Sequence, residues 1–88
     1  MSSETQNKII NHLKKGNPVI VLVHGYVKLV DGKTSHKAYD SHYITLLGIN
    51  EKNEIMVGDP GNSHVDGYTT INLLSNTSNA DCYFLVSK

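Results

Sequence analysis

The sequence predicts an α+β fold: a small antiparallel sheet of about four to five strands, an N-terminal helix, and a short helix before the last strand. Three observations carry that prediction. The chain opens with a capped segment of helical periodicity, and short runs rich in β-branched residues follow it. The stretch "HYITLLGINEKNEIMVGD" then sets a tight polar turn between two apolar runs, as an antiparallel hairpin requires.

The helix is expected over Glu4 to Lys15. "SETQ", Ser3 to Gln6, reads as a capping box in which the Ser3 hydroxyl accepts from the Gln6 N–H and the Gln6 side chain returns the bond. Ile9, Ile10 and Leu13 fall on one helical face. Lys14 and Lys15 suit the negative end of the dipole, Gly16 can take a left-handed cap, and Pro18 forbids continuation. "PVIVLVHGY" is a non-alternating apolar run and reads as a strand buried on both faces. Val27 to Ser41 is a polar loop whose "DGK" marks a turn or hairpin tip. The main hairpin turns at "NEKN", with Asn50 opposite Asn53, Ile49 opposite Glu54 and Ile44 opposite Asp59. That register puts His42, Ile44, Leu46, Ile55, Val57 and Asp59 on one face, and Tyr43, Leu47, Ile49 and Met56 on the other. "PGNSHVDGY" reads as a loop, "TTINLLSN" as a short helix capped by Thr69 or Thr70, and "DCYFLVSK" as a closing strand.

Eighty-eight residues make one domain, 1–88, with a thin core; a chain of this size buries only roughly 60–65% of the surface its unfolded form exposes. Eight Lys plus Arg balance eight Asp plus Glu, so there is no basic stripe for nucleic acid and no acidic tail. The N-terminus has no signal-peptide pattern, and the longest apolar run, Val19 to Val23, is too short for a bilayer. The one cysteine, Cys82, allows no internal disulfide, which fits a cytoplasmic location.

His42 and Asp59 are expected as diagonal neighbours at one end of the hairpin, within reach of a His–carboxylate hydrogen bond. An imidazole held by a carboxylate is two thirds of a nucleophilic triad. The loops Gly25 to Ser41 and Asp59 to Tyr68 leave the sheet at that end. His24, Tyr26, His36, Asp40, His42, Asp59, Asn62 and His64 are therefore the candidate ligand-binding residues. His24, His36 and His64 lie at strand ends or in loops, where two of them could converge near His42, whereas His12 on the helix is read as solvated. The histidine spacings match no zinc motif and no cysteine cluster accompanies them, so no metal and no cofactor is expected. "DPGNS" reads as an ordinary turn rather than an anion cradle.

Together "HLKKGNPVIVLVHG", "HYITLLGIN" and "EIMVGDPG" resemble the C-terminal half of a papain-like, bacteriocin-processing cysteine peptidase domain, family thirty-nine of the cysteine peptidases. The resemblance spans about Ile9 to Tyr68 and implies a papain-like half-domain. It assigns His42 to the catalytic histidine and Asp59, in Asp-Pro, to the residue that orients it. It also implies a preceding helical half with the nucleophilic cysteine behind an oxyanion-hole glutamine. Only seventeen residues precede Pro18 here; they hold no cysteine, and Gln6 is not followed by one. Cys82, grouped with Phe84 and Val86 by alternation, reads as a small hydrophobe.

The expected function is therefore a non-catalytic, peptidase-like binding module, with His42 and Asp59 a vestigial pair. It would capture a small polar molecule, a peptide or a partner protein, as a sequestering inhibitor such as a phage-encoded anti-defence protein would. The alternative is a cysteine peptidase using His42 and Asp59, with the thiol from Cys82 or from another chain. Partners exclude nucleic acid and membrane. Because both hairpin faces are apolar, a homo-oligomer is expected, most simply a twofold dimer. The competing arrangement folds the Val27 to Ser41 loop back over one face.

Overall fold

The computed structural model describes residues 2–34, 39–58, 65–77 and 82–87. Its elements are α1 (Ser3–Lys14), β1 (Val19–Gly25), β2 (Tyr39–Ile49), β3 (Ile55–Gly58), β4 (Val65–Thr69), α2 (Ile71–Thr77) and β5 (Tyr83–Leu85). The five strands form one antiparallel sheet in the order β4-β3-β2-β1-β5. This is the α+β architecture that the sequence predicts, with both helices where expected.

Helix α1 starts one residue early. Ser2, not Ser3, is the cap, its hydroxyl accepting from the Thr5 N–H at 3.2 Å. Gln6 is released from the expected capping box and donates to Ser75 Oγ at 3.1 Å, joining α1 to α2. At the other end Gly16, at φ +84°, donates its N–H to the Leu13 carbonyl, and Asn17 donates to His12. Those two bonds make a Schellman motif, whose left-handed residue favours glycine. In α2, Thr70 is the cap, accepting from the Leu73 N–H at 3.2 Å. Thr69 is instead buried, donating to the Lys28 carbonyl at 2.7 Å.

Strand β1 is not buried on both faces. Val19, Val21 and Val23 are fully buried, while Ile20, Leu22 and His24 are half-buried. The core lies on the first of those faces, where Ile44 and Leu46 of β2 and Ile55 and Val57 of β3 meet Ile9 and Leu13 of α1 and Leu74 of α2. Each such side chain, fully buried, is worth about 1.5–3 kcal/mol. Val27, at 0% exposure, joins the same core, and Leu29 is buried beside it.

The loop after β1 thus folds back, but onto the helix-covered face. Its tip is the expected hairpin: Lys28 bridges Thr34, Leu29 donates to the Lys33 carbonyl, and Asp31 Oδ1 accepts from the Lys33 N–H. Val30 donates to the Tyr68 carbonyl, and Leu29 lies over Gly67, where a Cβ would come within 3.0 Å of Leu29 Cδ1. These contacts belong to β4, a strand in a stretch that the sequence reads as loop. Its residues "VDGYT" lack apolar alternation; pairing with β3 and cover from Leu29 make it a strand.

The β2–β3 turn also differs from expectation. Asn50 pairs with Glu54 rather than Asn53, donating its N–H to the Glu54 carbonyl, and Asn53 sits left-handed at φ +61°. The register therefore begins one residue out, with Ile49 opposite Ile55. A bulge at Leu47 absorbs the extra residue, and Leu46 then faces Val57 and Thr45 faces Gly58. Ile49 consequently packs against the core instead of sharing the face of Tyr43.

Candidate functional site

The candidate site is an end of the sheet. Gly25, where β1 leaves, is paired with Tyr39, where β2 enters. Gly58, where β3 leaves, lies opposite both Thr45 of β2 and Val65, where β4 enters. Antiparallel pairing thus brings the loops after β1 and after β3 out at the same end, as the sequence predicts.

His42 is near the head of β2, opposite Val23 and half-buried, on the helix-covered face. His24 is half-buried on the opposite face of β1, so the sheet does not bring those two imidazoles together on one side. Tyr26 follows Gly25 and is exposed at the same end. Asp40 falls within β2 there as well. His36, Asp59, Asn62 and His64 lie outside the described residues, and with them the expected His42–Asp59 hydrogen bond. The pairing of Thr45 with Gly58 does match the register on which that bond is expected.

The position of Cys82 decides what chemistry the chain's own thiol can do. Cys82 lies beside Leu22, accepting that residue's N–H through its carbonyl at 2.9 Å. Its Sγ is exposed and sits 3.9 Å from the Tyr43 hydroxyl. Tyr43 and His42 are consecutive in β2 and point to opposite faces. Cys82, just before β5, therefore lies across the sheet from His42, with β1 between them. The thiol beside it raises the Tyr43 hydroxyl above its ordinary value, first through their hydrogen bond and then through charge. Tyr43 also meets Phe84, ring centroids 5.9 Å apart.

His12 is not solvated as the sequence suggests. Its Nε2 donates to the Val86 carbonyl at 2.7 Å, tying α1 to the chain that follows β5. Among the described residues no three His, Cys, Asp or Glu side chains gather to hold a metal ion. No helix among them is long and apolar enough to cross a membrane. A cleft of about 540 Å³ opens at the other end of the sheet, between the end of α1 and the β2–β3 turn. Leu13, Leu47 and Ile49 line it with Lys14 and Glu51. Sequence reasoning missed it, because its walls come from a helix end and a turn far apart in the chain. It has no buried ionisable group, and it is remote from His42.

The helix-backed antiparallel sheet has a papain-type, peptidase-like fold, as the match to a family model supports. More specifically, the chain belongs to the Peptidase C39 like family, whose model matches residues 1–85. No curated protein and no solved structure matches the chain.

Proposed function

We propose that these residues form a non-catalytic, peptidase-like binding module that captures a peptide, a partner protein or a small polar molecule at the sheet end where His42 lies. One observation supports this above the others: Cys82, the sole cysteine, is on the opposite face of the sheet from His42. A histidine activates a thiol only within hydrogen-bond reach. A cysteine peptidase built on Cys82 therefore has no geometric support. What remains is a recognition surface of loops held by a rigid sheet, with Tyr26, His24 and His42 around it. A module of this kind acts by sequestering what it binds.

The test is binding. Native mass spectrometry of freshly purified protein reports any co-purified ligand. Titration with a peptide carrying Gly-Gly is followed by NMR. His42→Ala and Tyr26→Ala are expected to weaken binding at least tenfold, about 1.4 kcal/mol. Lys52→Ala, at the opposite end of the sheet, leaves it unchanged. Equal losses in all three variants, or shifts confined to the β2–β3 turn, contradict the location.

A further inference from the structure

The two edges of the sheet differ. Along β4, Val30 donates to the Tyr68 carbonyl and the Thr69 hydroxyl donates to the Lys28 carbonyl, so the loop after β1 closes that edge. Strand β5, at the other edge, is paired with β1 alone. Its ladder extends one residue past the strand at each end. The Cys82 carbonyl accepts from the Leu22 N–H at 2.9 Å, and the Val86 N–H donates to the Pro18 carbonyl at 3.1 Å. Cys82, Phe84 and Val86 therefore turn their backbone groups toward β1, and Tyr83 and Leu85 turn theirs outward. Each of those two offers one N–H donor and one carbonyl acceptor. No hydrogen bond of the described residues reaches these outward groups. The edge is also held in place: the His12 ring donates to the Val86 carbonyl at 2.7 Å, and Tyr83 packs against the core. Natural sheets blunt a free edge with a charge, a proline or a bulge. Cys82 to Val86, "CYFLV", has none of these.

We propose that the outer edge of β5 is a strand-addition site for an extended segment of a partner polypeptide. Extended polypeptide is the chemistry that matches it. Alternate residues of such a segment present a donor and an acceptor at the spacing of Tyr83 and Leu85, so one segment satisfies all the outward groups. The segment's residue opposite Phe84 falls on the face that Phe84 shares with Tyr43, where the two rings lie 5.9 Å apart and Phe84 is 52% exposed. Its neighbours fall beside Tyr83 and Leu85, the latter 45% exposed. Aromatic side chains pair favourably across strands with β-branched and aromatic ones. Cys82 to Val86 carries no charge to hold an acidic or basic peptide. The partner segment is therefore uncharged over its paired residues and β-branched or aromatic opposite Phe84. A template fixed in advance keeps the ordering cost of binding small. This edge is separate from the proposed binding site, which lies at a sheet end near His42, and stands or falls without it.

Amide hydrogen exchange followed by NMR tests it in two steps. In the free protein the Tyr83 and Leu85 N–H groups are expected to exchange freely, while those of Phe84 and Val86 are protected. Slow exchange at Tyr83 and Leu85 overturns the proposal, because the edge is then already covered. Light scattering says by what: a second copy at twice the 9.7 kDa chain mass, the chain itself at one. The probe for the second step is an acetylated, amidated hexapeptide of alternating threonine and valine, raised to millimolar concentration. It is expected to shift the Tyr83 and Leu85 N–H signals and slow their exchange. The same peptide N-methylated at every residue donates no ladder bond and is expected to do neither. Leu85→Pro removes one outward N–H and spares the ladder to β1, since proline is tolerated on a free edge. It is expected to weaken binding about tenfold or more. No shift at millimolar peptide, equal binding of the methylated peptide, or full binding by a folded Leu85→Pro variant overturns the proposal. Shifts confined to α1 or to the β2–β3 turn overturn the location.

Discussion

His12 is the residue whose role the sequence disguises most. Its ring donates to Val86, seventy-four positions away, with part of the bond buried. A contact of that span leaves no local pattern to read. His12→Ala is expected to cost about 1–2 kcal/mol, because it leaves a partly buried carbonyl unsatisfied. Urea melts check this, and His12→Gln, which can still donate, recovers part of the loss. Tyr43 gives a second test. Its hydroxyl is raised above 10.0 by Cys82. The folded state therefore holds this proton more tightly than the unfolded chain does. That contribution to stability is fully present below the unfolded value and fades as pH rises through the folded one. Ultraviolet titration of wild type against Tyr43→Phe isolates the group, and Cys82→Ala is expected to move its midpoint back down.

At the scale of elements, helix α1, strand β1 and the hairpin were legible because each carries its own signal: period, β-branching, or a polar turn between apolar runs. The hidden features are those set by pairing. Strand β4 has Asp and Gly where alternation is expected, and it exists through β3 and the cover of Leu29. The Leu47 bulge accompanies a turn register one residue from the expected one, and Gly48 beside it is its one local sign. Of the candidate site, its end of the sheet and His42 were legible, because antiparallel connectivity fixes which loops share an end. The opposition of His24 and His42 across the sheet is contained in strand parity, since His24 follows Val23, the residue opposite His42. Asn50 organises its turn through bonds from Oδ1 to the Lys52 and Glu54 N–H groups. Asn50→Ala is expected to cost about 1–2 kcal/mol, and Gly16→Ala about 1 kcal/mol through its left-handed cap. Asn53→Gly is expected to be neutral, since Asn53 already occupies the left-handed region. Thermal melts rank the three.

At the scale of the whole molecule, the sheet separates two roles. One face is filled by α1, α2 and the loop after β1, and carries His42 at its end; the other carries Tyr43, Phe84 and Cys82 and has no cover among the described residues. Chemistry between those two side chains would have to pass through the sheet. The family to which the chain belongs is named for peptidases, so the absence of self-contained thiol catalysis is the claim most exposed to refutation. A hydrolysis assay on Gly-Gly peptides, wild type against Cys82→Ser, tests it directly. The account predicts no cleavage above buffer in either protein. Cleavage by wild type that disappears in Cys82→Ser, or on alkylation of Cys82, would contradict it.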